Sequence, residues 1–148
     1  MKTAAIITNF NNQTKAGIAT KAARKLADRG VTLLVDVPSA KIISRSIPDF
    51  PEYKSVQPEK LCPQSDFIVV LGGDGTIVDT LKRSAASRTP VIGINMGRLG
   101  FLAEIEPDEL KLLDRVVDGD YYTEDREMLF VQVFSEGGKK TVCRFCRK

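Results

Sequence analysis

Asp74 stands where a side chain is able to do chemistry. It sits inside Gly72-Gly-Asp-Gly-Thr76, directly after the apolar run Phe67-Ile-Val-Val-Leu71. A run rich in β-branched residues and bounded by turn residues reads as a strand, and apolar on both faces it belongs in a parallel sheet. Ligands of α/β proteins bind where such strands end. Asp74 then offers a carboxylate at the sheet's carboxyl edge, able to accept a proton or a hydrogen bond. Gly72, Gly73 and Gly75 accept backbone angles closed to other residues and let a ligand approach the main chain. Asp-Gly is also a common hairpin turn, and β-to-helix connections often carry Gly and Asp, so a plain turn stays open beside the functional reading. The stretch is neither a Walker A loop nor G-x-G-x-x-G; a phosphate cradle of another type remains open.

Other chemistries are narrowed by what surrounds this turn. The 148 residues contain no histidine, which removes Ser-His-Asp and Cys-His catalysis and every His-ligated metal site. Acid–base work falls to carboxylates, lysine or tyrosine. Three cysteines, Cys62, Cys143 and Cys146, make no disulfide framework, and one Cys-x-x-Cys without a second half is a poor zinc site. The net charge of +3 comes from Lys139, Lys140, Arg144, Arg147 and Lys148; without them 17 basic residues face 19 acidic ones. The body of the chain is therefore not a nucleic-acid surface. No apolar run approaches the roughly 20 residues of a membrane helix, and no leader is evident at the N-terminus, so a cytoplasmic protein is expected.

The elements that position Asp74 follow the chain. Residues 4–10 read as a strand, Lys15–Arg29 as an amphipathic helix with Ile18, Ala22 and Leu26 on one face and Gly30 as its cap, and residues 31–37 as a second strand. Strand, helix and strand make a βαβ unit with parallel strands and a right-handed crossover. Residues 38–65 hold five of the seven prolines and read as a long loop, with short helical turns at most. After the central strand, Thr76–Ser87 reads as a helix burying Ile77, Leu81 and Ala85. Its N-terminus at the turn is able to meet a phosphate. Val91-Ile-Gly-Ile94 reads as a fourth strand.

Asn95-Met-Gly-Arg-Leu-Gly-Phe-Leu102 is then a second strand-end loop. Arg98 is either a phosphate clamp or a solvated side chain. Phe101 and Leu102 pack on a base or anchor the loop. Pro107 is expected to open a helix running to Val117, closed by Gly119, with Glu104 and Glu106 solvated beside it. Met128–Phe134 reads as a strand, Gly137-Gly138 as a turn and Thr141–Phe145 as the start of a return strand. An edge hairpin alone is marginal, so these residues look like the opening of a further, β-rich unit.

Gly72-Gly-Asp-Gly-Thr76 together with Pro90-Val-Ile-Gly-Ile-Asn-Met-Gly-Arg-Leu-Gly-Phe-Leu102 resembles the NAD kinase family, and Arg126-Glu-Met-Leu129 is similar to that family's passage into its second domain. Diacylglycerol and sphingosine kinases share the first motif; the second, at this spacing, looks like NAD kinase alone. The resemblance implies phosphoryl transfer from ATP or inorganic polyphosphate to the adenosine-ribose 2′-hydroxyl of NAD, giving NADP, with a divalent cation, usually magnesium, accompanying the donor. It implies that Asp74 is the catalytic carboxylate that accepts the hydroxyl proton, in keeping with a reaction dominated by positioning and charge stabilisation. It places Gly72, Gly73, Gly75 and Thr76 against NAD and the phosphates. Asn95, Gly97, Leu99, Gly100, Phe101 and Leu102 fall in the second loop near the dinucleotide. No protein metal site is expected.

Two departures limit the carry-over. Many family members carry arginine or histidine five residues after the catalytic aspartate, where this chain has Asp79. The family also has a second domain, a β-sandwich-like unit that supplies an Asn-Glu or Asn-Asp motif and most of the NAD pocket, and Thr141–Lys148 does not resemble its continuation. The fold expected is an open, mostly parallel Rossmann-like α/β sheet with flanking helices over residues 1–123, and the first strands of an incomplete β-rich second domain over 124–148. Alone, half a cleft is expected to have little or no kinase activity. The alternatives are a non-catalytic nucleotide-binding or interaction module and a diacylglycerol-type lipid kinase. The unpaired edge of Met128–Phe134 is expected to seek another copy, giving a homo-oligomer.

Overall fold

The computed structural model describes residues 1–97, 100–134 and 140–146. Among these, β1 (Thr3–Ile7), β2 (Thr32–Asp36), β3 (Lys54–Val56), β4 (Phe67–Gly72) and β5 (Val91–Asn95) form one parallel sheet in the order β3-β2-β1-β4-β5. The chain runs outward from β1 to β3, returns to β4 beside β1, and continues outward to β5. The order therefore reverses between β1 and β4, where open α/β sheets leave a crevice at their carboxyl edge. A second, antiparallel pair follows, β6 (Met128–Phe134) with β7 (Lys140–Cys146). The expected turn at Gly137-Gly138 lies outside the described residues.

β4 is buried along its whole length, as its uninterrupted apolar run requires. Its side chains alternate between two cores. Phe67, Val69 and Leu71 join the larger one with Ala4, Ile6, Leu33 and Val35, covered by α1 (Gln13–Asp28), Ile43 of α2 (Val37–Ser46), and Leu113 and Val116 of α5 (Leu113–Asp118). Ile68 faces the other way, into a small cluster with Ala5, Leu34, Leu61 and Cys62. α3 (Pro58–Leu61) covers that face, and so does α4 (Asp74–Ser84): Gly93 is in register with Val70, and a Cβ added to Gly93 would lie 2.7 Å from Ile77 Cδ1.

The structure departs from the sequence expectations at several elements. β1 stops at Ile7, and Phe10 instead packs edge-on against Phe50, with ring centroids 5.7 Å apart. The expected loop over 38–65 contains α2, β3 and α3. Its prolines mislead because Pro38 and Pro58 sit in first turns, where a missing N–H costs nothing. Asp36 caps α2, its Oδ1 accepting from Ser39 N at 2.8 Å. α4 buries Ile77, Thr80 and Ser84, not Ile77, Leu81 and Ala85. The small hydroxyls are admitted because each donates back to its own helix, Thr80 to Thr76 O at 2.9 Å and Ser84 to Leu81 O at 3.2 Å. The helix expected from Pro107 begins later, as a 3₁₀ turn over Leu110–Leu112 that leads into α5. Pro107 and Asp108 form a turn before it, and Glu109 Oε2 reaches back to accept from Glu106 N at 3.1 Å. Gly30 and Gly119 do end helices in the left-handed region, at φ 72° and 79°.

Candidate active site

Asp74 opens α4 at the end of β4, on the β4 side of the crevice. Gly73 precedes it with extended backbone, and Gly73 O accepts from Thr76 N at 2.9 Å and Ile77 N at 3.2 Å, closing the first turn. Thr8 at the end of β1 donates to Leu71 O at 2.9 Å, and Met96 N after β5 donates to Gly72 O at 3.0 Å. Three strand ends are thereby held together around the turn.

The loop after β5 reaches Asp74 directly. Phe101 N donates to Asp74 Oδ2 at 3.1 Å and Leu102 N to Oδ1 at 3.3 Å. A Cβ on Gly100 would overlap Asp74 Oδ1 and lie 2.9 Å from its Cγ. A Cβ on Gly97 would come 3.5 Å from Gly73 Cα, so the two glycine-bearing loops run close together. Asn95 is buried, with Oδ1 accepting from Gly97 N at 3.2 Å and Nδ2 donating to Glu106 Oε1 at 3.0 Å. Phe101 is 75% exposed, so of its two readings the anchor in the core does not hold. Leu99, and Arg98 beside it, lie outside the described residues.

The structure thus brings Gly72, Gly73, Asp74, Gly75 and Thr76, at the passage from β4 to α4, together with Asn95, Gly97, Gly100, Phe101 and Leu102, at the end of β5 and in the loop after it, at one edge of the sheet. The glycines act differently from the expectation. None of Gly72, Gly73 and Gly75 has positive φ. Gly72 is needed for close approach, since its Cβ would lie 2.6 Å from Thr76 Cβ, whereas Gly73 and Gly75 face open space within 4 Å. A separate cavity of about 460 Å³, lined by Asp36, Pro58, Glu59, Cys62 and Arg83, shares no residue with these loops. Burial pushes the Cys62 thiol up, against the Arg83 charge, so it is a poor nucleophile.

Glu104 and Glu106, expected to be solvated, are exposed, but sequence reasoning missed the hydrogen bonds they make. Glu104 Oε2 accepts from Gly93 N at 2.7 Å, and Glu106 holds Asn95. The alternation Glu104-Ile105-Glu106 around a buried isoleucine is the signal that finds them: it is the period of an extended segment with both acids on one side. Glu104 is exposed as a residue, but partial desolvation of its carboxyl against β5 pushes that group up, aided by Glu124 and opposed by the Gly93 N–H and Arg126. A carboxyl raised in the native state favours folding at low pH and loses that contribution as pH rises through its native titration. Glu104→Gln keeps an oxygen for Gly93 N and removes the charge. The variant is therefore expected to be more stable than the wild type near about pH 8, with the gain fading towards about pH 4. Urea midpoints at both pH values check this; an unchanged difference between them contradicts it.

A family model described as the ATP-NAD kinase N-terminal domain matches residues 4–121. The NAD kinase of Geotalea daltonii is 34% identical over 140 residues, covering 94% of this chain and 47% of the relative. That of Heliobacterium modesticaldum is 48% identical over 75 residues, covering 50% of this chain and 26% of the relative. The crystal structure of yeast NADH kinase complexed with NADH superposes with a TM-score of 0.77 at 21% identity, covering 97% of this chain and 46% of that one, and shares the fold. The chain thus spans about half the length, or less, of these relatives. The match over residues 4–121, with Asp74 and its glycine turn inside it, establishes that the chain belongs to the NAD kinase family and carries that family's N-terminal domain.

Proposed function

We propose that this chain contributes the Asp74 half of an NAD kinase cleft, in which a phosphoryl group passes from ATP or inorganic polyphosphate to the adenosine-ribose 2′-hydroxyl of NAD. The observation that carries the reading is the Asp74 carboxylate at the β4 switch-point turn, held by the Phe101 and Leu102 amides. A carboxylate fixed by two backbone donors retains lone pairs to orient a hydroxyl and take its proton. The open space at Gly73 and Gly75 leaves the main chain at the start of α4 approachable, and the helix dipole there favours a negatively charged phosphate. Thr76, Asn95, Gly97 and Gly100 shape the site, Phe101 offers an exposed ring to the dinucleotide, and Leu99 is assigned to the dinucleotide by the family resemblance alone.

A divalent cation, magnesium in this reading, supplies charge neutralisation on the donor phosphates. Among the described residues no three acidic or cysteine side chains converge as a metal cage. The one carboxylate at the turn suits a cation carried in on phosphates, as magnesium commonly is. Residues 124–148 open a second, β-rich unit in this reading, and β6 seeks a further strand, from another copy in a homo-oligomer. The described residues contain no helix long and apolar enough to cross a membrane, and a cytoplasmic setting suits the substrates.

Half a cleft makes fewer contacts to a dinucleotide, so the 148-residue chain incubated with NAD, ATP and magnesium is expected to form little or no NADP. Sustained NADP formation overturns the half-cleft account. Formation of phosphatidate from diacylglycerol by the same chain overturns the choice of acceptor.

A further inference from the structure

β5 is the outer strand of the sheet on its side, so the N–H and C=O groups of Gly93 and Asn95 that point away from β4 need other partners. The returning segment 104–106 supplies them. Gly93 O accepts from Glu104 N at 3.1 Å and Ile105 N at 3.0 Å, and Asn95 N donates to Ile105 O at 2.8 Å. Gly93 N has no backbone acceptor in this ladder; it donates to the Glu104 side chain at 2.7 Å. Asn95 Nδ2 on Glu106 adds a second side-chain stitch. Ile105, 3% exposed, pins the segment to the core from the other side. The segment lies directly on the strand: a Cβ on Gly93 would be 3.1 Å from Ala103 Cα and 3.2 Å from Glu104 Oε2.

Both ends of the stretch 96–103 are therefore tied to the end of β5, and Leu102 lies two residues from Glu104. At about 3.3–3.6 Å per residue, the Leu102 amide has little freedom once Glu104 is seated. A shift of the return segment along β5 carries Phe101 and Leu102 away from Asp74. We propose that Glu104 is a positioning residue for Asp74: by closing on Gly93 N it fixes the register of the return segment, and so the aim of the Phe101 and Leu102 amides at the Asp74 carboxylate. Glu104 acts through the loop and touches no substrate. The catalytic meaning of this aim rests on the kinase reading above; the geometry does not.

The test uses the 148-residue chain without nucleotide and reads the amide resonances of Phe101 and Leu102 by NMR. Asp74→Ala gives the positions of these amides when the carboxylate is gone. Glu104→Ala is expected to move both amides to the Asp74→Ala positions, while the Val69 and Val70 amides of β4 stay in place. Glu104→Gln, which keeps an acceptor for Gly93 N, is expected to leave all of them at wild-type positions. Wild-type positions for Phe101 and Leu102 in Glu104→Ala overturn the proposal. A displacement as large in Glu104→Gln as in Glu104→Ala also overturns it, because charge and not the Gly93 bond would then be at work. If Glu104→Ala does not fold, Glu104→Asp, one methylene short of Gly93 N, takes its place with the same two outcomes. No nucleotide enters the experiment, so its failure leaves the kinase reading standing, and a failure to bind NAD leaves this proposal standing.

Discussion

Replacing Gly100 by alanine is expected to pull the Asp74 carboxylate off its two amides and to destabilise the protein by about 1–3 kcal/mol, the scale of hydrogen bonds to a charged group. The added Cβ would overlap Asp74 Oδ1 and stand 2.9 Å from Cγ and 3.1 Å from Oδ2. Asp74 has no room to give at its backbone, because Gly73 O is engaged by Thr76 N and Ile77 N. Nor does the loop, which is stitched to β5 through Asn95, Glu104 and Glu106. The carboxylate must rotate away, and the Phe101 and Leu102 amides lose their charged acceptor. Gly97→Ala is the matched control. Its Cβ would meet Gly73 Cα at 3.5 Å, an ordinary contact, so its stability should stay within about 0.5 kcal/mol of wild type. Urea denaturation of the two variants measures the contrast; equal midpoints contradict the close packing of Gly100 on Asp74.

Ile68→Ala is expected to cost about 2–5 kcal/mol, and Ile68→Val about 0.5–1.5 kcal/mol. Ile68 is fully buried at the centre of the smaller core, against Ala5, Leu34, Leu61 and Cys62. Ala5 comes from β1, beside β4, and Leu34 from β2, the next strand out; neither strand can collapse into a cavity without breaking ladder bonds. The other two belong to α3 and the residue after it, a single helical turn that holds little structure of its own. Against a typical total of about 5–15 kcal/mol, the alanine variant loses a large share of the fold's stability. A loss below about 1 kcal/mol would mean that α3 does not cover this face of the sheet.

Much of this architecture was legible because β4 announces itself: an apolar run without polar alternation has to be buried on both faces, and its abrupt end in glycines marks the carboxyl edge. The βαβ unit over β1, α1 and β2 followed from its two periodicities. β3 was not legible, since Lys54, Ser55 and Val56 carry no apolar run; an outer strand with exposed Lys54 and Ser55 is specified by its pairing with β2, not by its own side chains. α2 was hidden by proline counting, which ignores that proline is welcome in a first helical turn. The buried face of α4 was misplaced because Thr80 and Ser84 look polar until their hydroxyls are seen bonded to their own helix.

The site divides in the same way. Asp74 and the glycine turn could be read from type and spacing, and their joining to the Asn95–Leu102 loop was implied by the family resemblance. The hydrogen bonds that do the joining are long-range, spanning 27 and 28 residues, and no local pattern encodes them. The free backbone angles expected of Gly72, Gly73 and Gly75 are not used; what matters at Gly72 is the nearness of Thr76, visible only once the helix has formed.

The most direct measurement is a titration of the 148-residue chain with NAD, followed by amide resonances, which registers binding even at millimolar affinity. The account predicts saturable movement of the Gly73, Gly75, Thr76, Gly97 and Phe101 amides, with the β2 amides of Leu33 to Val35 unmoved. Movement confined to the cavity lined by Asp36, Glu59, Cys62 and Arg83, or no movement at the two glycine-bearing loops, would contradict it.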